Sequence, residues 1–359
     1  MSTSFSGKHT TIKKVFFLVS MLAAVFAFAS CAKKEPAAEA PAQESQQSQA
    51  VKSQHPYSIA VFVPGIISGS ATYEMLVQGA EKAAAEHNNT AIQVIEGGSN
   101  QGDWEEKVSA LAAGSDYDVI VTSNPAMPAI CDAVSKRFPQ QQFIIMDGFF
   151  EGNENMYTLR YNQYQQALLA GHMAGLVTTS SMPGANSKLA IGLIAGQEYP
   201  DMNELILPGF QEGAKLVNEA ITVDFRVVGN WYDAAKGAEL ARSMINGGAD
   251  VILAIAGGAN QGVLTAAGEK GVYVHWYDSN GYANKPGTVI GSTAILQDKA
   301  VYQTVTKAIE GSLEFGKAET FGIKEGYITF IEDDDNYRSS VPEELRAKQH
   351  QFTSELIPE

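Results

Sequence analysis

Residues 250–263 read DVILAIAGGANQGV, and they decide the class of fold. Six apolar residues, Val251–Ala256, run without a polar interruption and stop against a glycine pair. Such a run fits a strand covered on both faces rather than one with a wet side. The helical stretch QGVLTAAGEKG comes directly after it, so the unit is strand, tight turn, helix. Its glycines lack the G-x-G-x-x-G spacing and the lysine of a phosphate loop, which argues against a nucleotide-phosphate site here.

The same unit recurs on either side. Upstream come YSIAVFV with TYEMLVQGAEKAAAEH, AIQVIEG with DWEEKVSALAAG, YDVIVTS with PAICDAVSKRF, and QFIIMDG. MYTLRYN then leads into the long helical NQYQQALLAGHMAGLV. LAIGLIAG opens a second series through LPGFQEGAKLVNEA, ITVDFRVV, AAKGAELARSMING, the opening unit and VYVHWYD. TVIGSTAIL, the helix DKAVYQTVTKAIEG and GYITFIE close the pattern. Strands alternating with helices of this length predict parallel sheets with helices on both faces. Two series of similar length predict an α/β chain of two Rossmann-like lobes.

The first 55 residues have another character. Residues 1–30 carry Lys8, His9, Lys13 and Lys14 ahead of the apolar run Val15–Ala29, the pattern of a signal peptide. The run is short for a membrane helix, which needs about 20 apolar residues. It ends FASC, and Cys31 after small residues is similar to a lipobox, although Phe28 stands where that pattern prefers Leu. The alternative is ordinary cleavage nearby with an incidental Cys. Residues 31–55, rich in Ala, Gln, Ser, Glu and Pro, cannot bury enough apolar surface to fold. They are expected to tether the rest of the chain with a reach of about 25–30 Å. Net charge is -15, and losing residues 1–30 removes lysines but no acid. So acidic a surface argues against nucleic acid and against anionic headgroups as partners, leaving a lipid at Cys31 to hold the membrane.

Catalytic chemistry finds little purchase. With Cys31 acylated, Cys131 is the one remaining thiol, in an apolar helical stretch that reads as core. The six His are scattered without metal-ligand spacing, and no G-x-S-x-G elbow is present. EDDDN at 332–336 lacks the glycine and terminal glutamate of a calcium loop and reads as a solvated turn. No metal or cofactor is expected.

Ligands of open α/β sheets bind beyond the carboxyl ends of the strands. Here those ends read VPG, EGGSNQGDW, TSNP, MDG, AGQEYPDMN, GNWYD, AGGANQG and HWYDSNG. They are rich in Gly, amides and aromatics and nearly free of cations, which favours a neutral polar ligand with a ring over a phosphate or carboxylate. Amides such as Asn100 and Asn124 would bind its edges. Asp233 reads as a helix cap. Of Trp276 and Tyr277, which alternate faces, at least one is expected in the core, and Tyr232 stays open.

With the strand ends in hand, the chain resembles the basic membrane protein (BMP) family of solute-binding lipoproteins. The resemblance spans about residues 58–329, through TYEMLVQGA, KRFPQQQFIIMDG, NQYQQALLAGHMAG, PGFQEGAK and DVILAIAGGANQGV in that order. It implies a type I periplasmic-binding fold, two lobes on a hinge that close on a ligand and deliver it to the permease and ATPase subunits of an ABC-type importer. It implies lobes of residues 56–160 plus 281–318 and 161–280 plus 319–359, a monomer, and a place at the cell envelope facing the periplasm or exterior.

In the purine nucleoside branch two aromatics sandwich the base, and these fall on Tyr73 and Trp231. The sugar-binding acids fall on Asp147 and Asp278, and a backbone contact on Gly257. That branch grips the purine with an acid where this chain has Pro64, and its sugar-contacting lysine is replaced by Leu296 or Gln297, of which Gln297 is expected to contact the ligand. The polyol end is kept while the purine end is lost, which favours riboflavin, the ligand of the treponeme-type branch, over a purine nucleoside. An enzyme such as a surface nucleoside hydrolase would have to use Asp147 and Asp278 as its carboxylate pair. An adhesin or antigen role stays open.

Overall fold

Two sheets, each of six strands, are built from one chain that passes between them three times; the computed structural model describes residues 56–357. The signal-peptide, lipobox and tether readings lie outside those residues. The first series runs β1 (Tyr57–Val63), α1 (Ala71–Glu86), β2 (Thr90–Glu96), α2 (Trp104–Gly114), β3 (Val119–Ser123), α3 (Met127–Arg137), β4 (Gln142–Met146) and β5 (Met156–Tyr161). The second runs α4 (Gln163–Thr178), β6 (Ala190–Ala195), α5 (Leu207–Val217), β7 (Thr222–Val227), α6 (Ala234–Gly247), β8 (Ala249–Ile255), α7 (Asn260–Lys270), β9 (Tyr273–Trp276) and β10 (Val289–Ile295). After these come α8 (Gln297–Ile309), β11 (Ala318–Phe321), β12 (Ile328–Phe330), α9 (Asp335–Ser340) and α10 (Glu343–Glu355).

The first sheet has the order β11-β5-β4-β3-β1-β2, parallel throughout. The second has the order β12-β10-β9-β8-β6-β7, parallel except for β12, which pairs antiparallel with β10 at one edge. Every residue of β3 and of β8 is buried, Thr122, Ser123 and Asp250 included, as in strands covered on both faces. The chain crosses after β5, between β10 and α8, and between β11 and β12.

Two expected boundaries therefore move. The second crossing lies past Ile295 rather than near residue 281, because β10 pairs with β9 and belongs to the second sheet. The third lies past Phe321 rather than near 318, because β11 adds to β5. AETF is too short and polar a run to read as a strand from sequence. The EDDDN run is a helix start: Asp334 caps α9, accepting from the Asn336 and Tyr337 amides, and its other oxygen accepts from Asn280. Cys131 is fully buried, and burial pushes its thiol up.

Helix α4 is buried on nearly every side, as expected of a helix apolar all round. It meets α5 at glycines. A Cβ on Gly171 would stand 2.1 Å from the Phe210 carbonyl, and one on Gly213 2.1 Å from the Leu168 carbonyl. The two backbones thus approach where no side chain intervenes. The π-helical turn at Met202–Ile206, which leads into α5, also packs on α4.

Candidate functional site

Each sheet presents an acid just past a central strand. Asp147 directly succeeds β4 and Asp278 lies two residues past β9, both in the left-handed region at φ 51° and 68°. Aspartate tolerates that conformation better than most residues, and such strain gathers at functional sites. The first turn of α4, capped by Asn162, carries Gln163 and Gln166 three residues apart on one face. Gln163 Nε2 donates to Asp147 Oδ1 at 3.1 Å, and Gln166 Nε2 donates to Asp278 Oδ1 at 3.1 Å. The Tyr277 hydroxyl donates to Gln163 Oε1 at 3.0 Å. One helical turn at the crossing between lobes therefore holds an acid of each.

Both acids hold their protons unusually well. Burial, then the charge of Asp278, raises Asp147 well above the usual carboxylate range. Burial raises Asp278 to about 6, with the Gln166 bond opposing it. The Tyr161 hydroxyl, raised by burial and by both acids, and Gln166 Oε1 are buried there without partners.

The raised acid makes stability depend on pH. Folded Asp278 binds its proton more tightly than an unfolded aspartate near 3.8, so its contribution is complete below pH 3.8 and is lost as pH rises through about 6. Asp278→Asn should flatten the melting temperature of the unliganded protein over that window and lie above the wild type at neutral pH. Coincident profiles for the two proteins would assign the step to another group.

The aromatics lie one in each lobe. Tyr73, on the first turn of α1, donates its hydroxyl to the Pro64 carbonyl at 2.9 Å and accepts from Asn124 Nδ2 at 3.2 Å. Burial pushes the phenol up to about 12. Its ring packs on Gly65, where a Cβ would stand 2.6 Å away. Trp231 mirrors this in the second lobe: its ring packs on Gly196, where a Cβ would stand 2.4 Å away. The Trp231 carbonyl accepts from the Gly258 amide at 2.8 Å, and Gly257, at φ 56°, leaves the room for that approach. Each aromatic is thus backed by a glycine at or near the end of the first strand of its own lobe. Tyr232 beside Trp231 is 69% exposed, whereas Asp233 caps α6 by accepting from the Lys236 amide. Tyr277 is buried and Trp276 half-buried against the core.

Two expected ligand residues are occupied elsewhere. Asn100 is exposed and caps its own turn, accepting from the Gly102 amide and donating to Asp103. Gln297 is fully buried; it donates to the Thr72 carbonyl at 2.6 Å and accepts from Ser123 Oγ at 3.3 Å, tying α8 to the turn that bears Tyr73. Sequence reasoning missed Gln163 and Gln166, whose signal was a pair of amides opening an otherwise apolar helix. It also missed Tyr199, which stands in the strand end AGQEYPDMN and lies 6.2 Å from Trp231 at an interplanar angle of 44°.

The sequence model described as ABC transporter substrate-binding protein PnrA-like, the Bmp family, matches residues 57–358. The chain belongs to the Bmp family. Over 275 residues this Bmp protein is 25% identical to the CD4+ T-cell-stimulating antigen of Listeria monocytogenes, covering 72% of this chain and 73% of that one. Over 135 residues it is 32% identical to the ABC transporter nucleoside-binding protein BmpA of Lactococcus lactis, covering 38% and 36%. A solved solute-binding protein of an ABC transporter system from Aeropyrum pernix superposes with a TM-score of 0.70 at 21% identity, covering 84% and 87%. The two parallel-sheet lobes of this Bmp protein have the type I periplasmic-binding fold.

Proposed function

We propose that the chain captures a neutral heterocycle bearing a ribose or ribityl group, riboflavin in the first place, and hands it to the permease and ATPase subunits of an importer. The observation that carries this reading is the turn of α4 that holds one acid from each lobe. Carboxylates with one oxygen already fixed by an amide keep acceptor capacity for the hydroxyls of a polyol chain. Glycine-backed aromatics in the two lobes supply faces for a ring. Two stacks contribute about 1–3 kcal/mol beyond area burial, whereas a micromolar site needs about 8 kcal/mol. Hydroxyl contacts and closure of the lobes supply the remainder.

The loop after β1 favours the flavin over the purine. Pro64 offers no acid, and its carbonyl is taken by Tyr73. A purine nucleoside is the second reading, favoured by the nucleoside-binding relative of Lactococcus lactis. In either case the ligand is bound without turnover, and a lipid on Cys31 would hold the protein at the outer face of a membrane.

The test is release of whatever co-purifies with the full chain, identified by mass spectrometry, and then titration with riboflavin and with nucleosides. Riboflavin binding should quench flavin fluorescence and raise the melting temperature. Absence of both effects with every one of these compounds would refute the reading, and release of free base from a nucleoside would replace it with a hydrolase.

A further inference from the structure

We propose that Arg160 is a positioning residue that holds the two lobes together across the ligand site by reaching from the first lobe to Asp201 of the second. The inference rests on the two-lobed ligand site of the proposed function, and its first test needs no ligand. Arg160 is on β5, one residue before the strand ends at the crossing into α4. Its guanidinium is held from its own lobe on two sides: Nε donates to Thr320 Oγ1 of β11 at 3.0 Å, and the group lies over the Phe149 ring at 4.0 Å. Its Nη1 stands 3.6 Å from Asp201 Oδ1. Asp201 precedes the π-helical turn that enters α5, two residues past Tyr199.

An isolated pair at 28% and 24% exposure would matter little. The company it keeps changes that. Bringing the lobes together sets Asp147 of the first against Asp278 and Asp201 of the second, and the charges of both raise Asp147. Glu204 adds a further acid beside Asp201. Among the described groups acting on Asp147, Asp201 and Asp278, Arg160 is the cation. Whenever Asp147 is ionised, Arg160 offsets part of its repulsion with Asp278 and Asp201, which would otherwise part the lobes. A guanidinium already fixed by Thr320 and Phe149 loses little freedom in doing so. Because Asp201 is two residues from Tyr199, the same contact steadies the ring that leans on Trp231.

Spin labels on Ser68→Cys and Glu239→Cys, exposed sites one in each lobe, would read the separation across the site in the full chain carrying Cys31→Ser. Cys131 is buried and stays unlabelled. In the unliganded protein, Arg160→Gln should shrink the short-distance population about threefold or more, and adding Asp201→Asn should restore it, because the repelling charge has gone too. With riboflavin or the co-purified compound, Arg160→Gln should raise the dissociation rate about tenfold with the association rate little changed. An unchanged distance distribution in Arg160→Gln would overturn the inference. So would a fall in melting temperature that Asp201→Asn leaves unrepaired, which would assign Arg160 to packing on Phe149. If riboflavin and nucleosides fail to bind the wild type, the ligand reading falls while the label distances still decide the role of Arg160.

Discussion

Replacing Trp231 by alanine should weaken ligand binding by about 100-fold, or about 3 kcal/mol, with the melting temperature of the unliganded protein nearly unchanged. The loss combines one aromatic stack with the burial of part of a large ring, which contributes about 25 cal/mol per Å². The fold depends little on the indole. Its neighbours are held by backbone and by other side chains: the residue 231 carbonyl to the Gly258 amide, Asn230 Oδ1 to the Tyr232 and Asp233 amides, and the Asp233 cap on α6. Removing the ring leaves all of these in place. Calorimetric titration of Trp231→Ala and Trp231→Phe with the co-purified compound separates ring stacking from packing. Unchanged affinity in the alanine variant would mean that the indole only fills the space beside Gly196 and Tyr199.

Gly213→Val is expected to cost about 3 kcal/mol or more of stability, although residue 213 touches no proposed ligand contact. The first atom of any side chain there meets the Leu168 carbonyl at 2.1 Å and the His172 amide at 2.8 Å. Neither is a flexible group that can swing aside, so one whole helix must shift. That shift would move the π-helical turn at Met202–Ile206, and the Tyr199–Asp201 stretch before it, relative to α4, so residual folded protein should also bind poorly. Thermal melts and ligand titration of the same sample check both effects. A melting temperature within about 2 °C of the wild type would show that α4 and α5 separate at little cost.

The sequence made the strand ends readable, and with them the two acids and the aromatic of each lobe. Asp147 and Asp278 come after apolar runs whose burial on both faces marks where a strand stops. Trp231 stands in a turn, where a large ring is out of place unless something covers it. Spacing points Asn100 and Gln297 at the ligand, whereas the structure shows the Asn100 amide bonded within its own turn and that of Gln297 to the Thr72 carbonyl, a distinction that spacing does not carry. Gln163 and Gln166 escaped because their partners lie in different lobes, brought together only by the crossing after β5. The second and third crossings lie later than expected for the same reason: β11 and β12 are short edge strands whose pairing depends on the far part of the chain.

Those late edge strands bear on the order in which the molecule is made. The first sheet gains β11 only when residues 318–321 arrive, and α8, which packs on α1, comes after nearly all of the second lobe. The second sheet gains β12 later still, and α10 closes over α4 at the end of the described chain. Neither lobe has its full set of described elements until the residues of β11, β12 and α10 have been made. Until those residues arrive, β5 and β10 stand as unpaired sheet edges, on which another chain could pair.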